Sequence, residues 1–176
     1  MREFSIDLET MGTGPSAAIL AIGAVAMDFD TLTQGEPFYA TVDLESSVAL
    51  GGVMDPGTVL WWLKQSDAAR AAVTRGGLPI HEALTRFSGY LRREAEDRHP
   101  HLWGHGANFD NVILRSAYGR AGIVAPWDYK GDRCFRTVRA LHLEVPDVKP
   151  ALVHHALEDA KAQAQQLLNI LRGGKP

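Results

Sequence analysis

At 176 residues and 45% hydrophobic content, the chain holds enough apolar material for one ordinary core, so a single domain spanning 1–176 is expected. A lone cysteine, Cys134, excludes an internal disulfide, no Cys/His cluster has zinc-site spacing, and a reducing cytoplasm is the expected setting. A net charge of -3 and a pI of about 6.1 exclude a broad basic surface that grips long nucleic acid by counterion release, and the sequence shows neither a secretory h-region nor a membrane-length apolar run.

Phe4, Ile6 and Leu8 alternate with Ser5, Asp7 and Glu9, which predicts a strand over about 4–10 with both carboxylates on one face. Gly12-Thr13-Gly14-Pro15-Ser16 is a turn, and the apolar run 18–26 predicts a strand buried on both faces. Gly35-Glu36-Pro37 reads as a second break, with a third strand at 38–42 completing an antiparallel meander. Asp55 is placed to cap a helix that has Pro56 first and Val59, Trp62 and Leu63 at helical spacing. Pro79 opens another helix, with Ile80, Leu84, Phe87 and Leu91 on its core stripe. A short strand at 101–104 leads through Gly106-Ala107-Asn108 into a helix that carries Asp110 in its first turn and turns Phe109, Val112, Ile113 and Ala117 inward. Helices are predicted at 133–143 and about 155–171, the last stopped by Gly173-Gly174 and Pro176, while the mixed-sign run 92–98 reads as a solvated helix end. Three meandering strands followed by helices alternating with short strands predict an α/β fold, a mixed sheet covered by helices on both faces, with an RNase H-like fold the natural candidate.

Acidic residues are depleted in strands, so Asp7-x-Glu9 opening a core strand needs a reason. A solvated edge strand is one; a metal site is the other. Two ionised carboxylates at about 4 Å repel by roughly 4 kcal/mol at an effective dielectric near 20, and adding Asp110 and Asp159 multiplies that cost. Two Mg²⁺ or Mn²⁺ ions balance the charge of these carboxylates with the oxygen ligands that hard cations prefer. Phosphodiester hydrolysis by in-line displacement is the reaction such a pair of ions serves.

Ile6-Asp7-Leu8-Glu9-Thr10-Met11-Gly12 resembles the first motif of the DEDDh 3′-5′ exonucleases, especially the exonuclease VIII and phage-type exoribonuclease branch. Gly104-His105-Gly106-Ala107-Asn108-Phe109-Asp110 resembles the second motif, and His154-His155-Ala156-Leu157-Glu158-Asp159-Ala160 the third. The resemblance implies an RNase H-like five-stranded mixed sheet, three strands antiparallel and then parallel ones. It also implies Asp7, Glu9, Asp110 and Asp159 as ligands of two Mg²⁺ or Mn²⁺ ions, and a histidine general base. Many relatives carry Asn four residues before the motif-two aspartate, where this chain has Gly106, so no role passes to Asn108.

Helical periodicity puts His155 on the Asp159 face, because positions five apart on an ideal helix differ by about 140°. The family spacing instead selects His154, on the lead-in to the helix, and His154 is the base chosen here, with His155 the runner-up. Thr10 and Met11, which close the first motif, are candidate substrate contacts. The segment 55–66 resembles the same branch; Trp62 follows the core spacing, whereas Trp61 is a candidate platform for a terminal base, although core packing is the commoner role for both. Arg136, with Arg133, is a candidate phosphate contact, and a solvated helix face is its plain alternative.

The expected activity is release of nucleoside 5′-monophosphates from the 3′ end of single-stranded RNA or DNA, RNA slightly favoured. No motif marks a partner for a 2′-hydroxyl. The competing readings are a non-catalytic RNase H-like nucleic-acid-binding module, a DNA-specific exonuclease of recombination or repair, and an RNase H-like endonuclease. Retention of every ligand argues against the first, and the His154–Asp159 pairing against the last. Paired relatives imply a homodimer by analogy, and no membrane is expected among the partners.

Overall fold

The alternation after Arg2 becomes β1, Glu3–Thr10, the central strand of the sheet. The computed structural model describes residues 2–96 and 98–173. β1 pairs antiparallel with β2, Ile19–Asp28, which pairs antiparallel with β3, Thr33–Thr41. On its other side β1 pairs parallel with β4, His101–Gly104, and β4 with β5, Asp132–Cys134. The order β3-β2-β1-β4-β5 is the expected mixed sheet, three strands antiparallel and two added in parallel.

Two expectations about strands need correction. Gly35-Glu36-Pro37 does not break the chain: β3 runs through it, with Pro37 opposite Val25 and a register shift next to that pair. As the sheet's edge strand, β3 has one side where proline's missing N–H costs no ladder bond. The reversal lies earlier, where the Asp28 carboxylate accepts the backbone N–H groups of Asp30 and Thr31. Likewise, Arg133 and Cys134 belong to β5 rather than to a helix; the helix begins at Phe135.

Among the described residues, seven α-helices complete the fold: α1 Leu44–Ala49, α2 Pro56–Trp62, α3 Asp67–Thr74, α4 Ile80–Ala95, α5 Asp110–Arg120, α6 Phe135–Leu141 and α7 Ala156–Gly173. Alternation along β1 sends Phe4, Ile6 and Leu8 into one core, against Ile80, Leu84, Phe87 and Leu91 of α4 and Ile113, Leu114 and Ala117 of α5. The opposite sheet face packs Val25 and Met27 against Phe135 of α6 and Ala164, Leu167 and Leu168 of α7. Each fully buried aliphatic side chain contributes about 1.5–3 kcal/mol, so both layers are held mainly by burial. A smaller cluster joins Leu20, Trp62, Ala69 and Val73.

Asp55 caps α2 as expected, its carboxylate accepting the Gly57 N–H at 2.7 Å. Leu63 and Val112, read as inward, are 66% and 40% exposed, because each falls just outside the stripe that its helix buries. α1 and α3 are short helices that the apolar pattern did not mark. Gly173 lies within α7, and Gly174 and Pro176, read as its stop, fall outside the described residues. At the end of α4 the ion pairs Arg93–Glu94 and Arg98–Glu96 form the solvated helix end that was expected; Asp97 of that run is also outside the described residues. Among the described residues, no helix is long and apolar enough to cross a membrane.

Candidate active site

Three elements deliver acids to one place beside the C-terminal half of β1. Because Ile6 and Leu8 occupy the α4–α5 core, Asp7 and Glu9 necessarily face α7. Opposite Asp7 in the ladder stands Gly23, where a Cβ would fall inside the backbone of Ala156 and Leu157. The absent side chain lets the first turn of α7 lie directly on the sheet and brings Asp159 to the β1 carboxylates. One oxygen from each of Asp7, Glu9 and Asp159 lies within 4.8 Å of the others.

Asp110 enters from the start of α5 and is 2% exposed. Its Oδ1 accepts the Leu8 N–H at 3.2 Å, which pins it behind β1 and outside that 4.8 Å group. Gly104 makes this approach possible, since a Cβ there would meet Asn111 and the Asp110 side chain. Sequence reading thus named all the acids; the structure brings three together and sets the fourth deeper.

Burial acts on every one of these groups, and repulsion from neighbouring acids adds to it at Asp7 and Glu9. Burial, then the charges of Asp110, Glu9 and Asp159, holds Asp7 well above the usual carboxylate range. Glu9 is pushed up to about 8 by burial and by Asp159 and Asp110, and Asp110 to about 7 by burial, against the backbone N–H groups that it accepts. Asp159 is raised by burial, partly offset by the His155 N–H, which its Oδ2 accepts at 3.0 Å. None of the ion pairs among the described residues involves these acids. A cluster of oxygen donors with excess negative charge and no ion-paired protein cation among the described residues fits divalent Mg²⁺ or Mn²⁺.

The two histidines separate cleanly. His154 precedes α7 with a left-handed φ of 61°, and its ring enters the cavity beside Trp61, edge to face at 4.8 Å. His155 turns the other way, stacks on Tyr39 at 4.5 Å and buries an Nδ1 without a partner. The residue that helical periodicity favoured therefore lies under β3, and the one that family spacing favoured lines the cavity.

That cavity, about 560 Å³, is lined by Asp7, Glu9 and Asp159 together with Thr10, Thr58, Trp61 and His154. Trp62 is buried and donates its Nε1–H to the Thr10 carbonyl at 2.9 Å, tying α2 to the end of β1. Trp61 stays partly exposed. Met11 does not line the cavity: a register shift between Glu9 and Thr10 rotates the chain, and Met11 packs on the Leu20–Trp62 cluster. Arg136 spends one guanidinium N–H on the His105 carbonyl at 2.7 Å, bracing the loop that leads to Asp110. Arg133 bonds the Lys130 and Asp132 carbonyls away from the cavity. Gln163, which sequence reading missed, donates to Asp7 Oδ1 at 2.8 Å; its spacing of four from Asp159 on a helix was the available signal.

The sequence profile of the 3′-5′ exoribonuclease Rv2179c-like domain matches residues 2–171. A curated relative, the exodeoxyribonuclease of Enterobacteria phage T4, is 28% identical over 125 residues, 65% of this chain and 54% of its own length, so the chain spans only about half of that relative. The nuclease domain of 3′hExo, described as a DEDDh family member bound to rAMP, superposes with a TM-score of 0.66 at 16% identity, over 98% of this chain and 92% of that one. The zinc-bound E. coli ExoI–ssDNA complex gives 0.70 at 16% identity, over 98% and 40%. At these identities the superpositions establish the RNase H-like exonuclease fold. Because the profile spans nearly the whole chain, this protein belongs to the 3′-5′ exoribonuclease Rv2179c-like family.

Proposed function

We propose that this chain is a metal-dependent 3′-5′ exonuclease that releases nucleoside 5′-monophosphates from single-stranded nucleic acid, RNA in preference to DNA. The observation that carries the reading is the convergence of Asp7, Glu9 and Asp159 within 4.8 Å, with Asp110 behind them and His154 lining the same cavity. Asp7, Glu9, Asp110 and Asp159 would hold two Mg²⁺ or Mn²⁺ ions, whose chemistry when bound is to polarise the phosphoryl oxygens and offset charge on the leaving 3′-oxygen. His154 takes the proton of the attacking water on a ring nitrogen. Trp61, packed on His154, limits the swing of that ring and offers its exposed face to the terminal base, next to Thr10 and Thr58.

The sugar preference rests on the family description, which names an exoribonuclease, while the phage relative is named an exodeoxyribonuclease. Incubating 5′-labelled single-stranded RNA, single-stranded DNA and duplexes with Mg²⁺ or Mn²⁺ separates the possibilities. A ladder that shortens from the 3′ end with mononucleotide release, fastest on single-stranded RNA, is expected. Internal cuts, or no product with either ion, would overturn the activity, and faster DNA digestion would overturn the sugar preference alone. Assembly as a homodimer belongs to the same proposal, and a monomer mass in solution by light scattering would refute it.

A further inference from the structure

Gln163 sits one turn beyond Asp159 on α7 and is 7% exposed. Its Nε2 donates to Asp7 Oδ1 at 2.8 Å and is the one side chain that hydrogen-bonds Asp7 among the described residues. Its Oε1 is buried and has no partner. Leaving a buried acceptor unpaired costs about 1–3 kcal/mol, which an apolar residue would avoid on a helix face otherwise packed with Ala160, Ala164 and Leu167. A lysine or arginine would hold Asp7 more strongly, but its charge would cancel the attraction that draws in a cation. A neutral amide orients the carboxylate and leaves its charge intact.

We propose that Gln163 is a positioning residue for divalent cation binding: it fixes the Asp7 carboxylate through one oxygen, so that the other is presented to the ion. This rests on the reading of Asp7 as a cation ligand. The nearby Lys161 leaves the role to Gln163, because its Nζ pairs with Glu158 at 3.0 Å. Partners of this kind, one step removed from the ion, set the orientation of the ligands they bond.

The test is calorimetric titration of Mn²⁺ into the full chain and into Gln163→Met, which keeps the unbranched shape and removes the donor, with thermal unfolding in chelator as the check on folding. Mn²⁺ affinity is expected to fall about 10- to 100-fold in Gln163→Met, the usual loss when such a partner is removed. Gln166→Met, on the same helix but bonded to Asp147 and to the Val148 N–H, is expected to keep its affinity. Equal affinity in Gln163→Met, or an equal loss in Gln166→Met, overturns the proposal. An unaltered protein that binds no Mn²⁺ overturns the ligand assignment of Asp7 itself. Should Gln163→Met fail to fold, NMR on the unaltered chain decides: the Gln163 amide protons should exchange slowly and shift on adding Mg²⁺, and freely exchanging, unmoved protons overturn the proposal.

Discussion

At His154 the backbone determines which of two adjacent rings lines the cavity. A left-handed φ at a non-glycine residue costs of order 1–3 kcal/mol, and here it aims one ring into the cavity while its neighbour stacks on Tyr39. His154→Ala is therefore expected to slow nucleotide release by roughly 10²- to 10⁴-fold, the range for loss of a general base. His155→Ala is expected to keep turnover within a few-fold and to lower stability by about 1 kcal/mol, the scale of one lost aromatic contact. Single-turnover release from a labelled oligonucleotide, paired with thermal unfolding, measures both; a reversed ranking would refute the assignment. Asp7 and Glu9 were legible in the sequence because a carboxylate inside an apolar strand is conspicuous, whereas Asp110 and Asp159, on helices, were marked only by the resemblance of their motifs. The turn at His154 was not, since no glycine marks it, and Met11 misled because the shift after Glu9 changes which way the next side chain points.

Among the elements, α7 and β2 depend on one missing methyl group. Gly23→Ala would drive a Cβ into the Ala156–Leu157 backbone, where no side chain can yield, so α7 must lift off the sheet. The expected cost is about 3 kcal/mol, the upper end for overpacking, or roughly 10 °C in Tm for a chain of this size. Activity measured well below the new Tm should fall too, because Asp159 rides on the displaced turn; an unchanged Tm and rate would show that the contact yields. Strands and helices with strong periodicity, such as β1 and α4, were readable from the sequence alone. β5 was not: three residues carry too little pattern, and only its pairing with β4 makes them a strand. Nor was the path of β3 through Pro37, which depends on the strand lying at the edge of the sheet, a property of the assembled fold.

For the whole molecule, the site is a store of repulsion that folding builds and a bound cation would relieve. Glu9 is raised from 4.5 to about 8, Asp110 from 3.8 to about 7, and Asp7 well above its ordinary value. A carboxyl with a raised folded pKa binds its proton more tightly in the folded state. The stability it contributes is complete below the unfolded pKa and is lost as pH rises through the folded one. The metal-free protein should therefore lose stability from about pH 5 to pH 8. Other groups pull the other way: Asp28, Glu144 and Asp147, all lowered, act only below that window, while His105, lowered by burial and Arg136, and Cys134, lowered against burial by its hydrogen bonds, are two sites against several. In chelator, Tm should fall by several degrees between pH 5.5 and 8.5, and Asp7→Asn, which removes one charge and keeps the Gln163 bond, should raise Tm at pH 8 while abolishing activity. Saturating Mg²⁺ should invert the trend, because protons compete with the ion and binding at a hundred times Kd adds about 2.7 kcal/mol to the folded state. A Tm that rises with pH in chelator would mean that the carboxylates are not strained against one another, and the two-cation reading would lose its electrostatic basis.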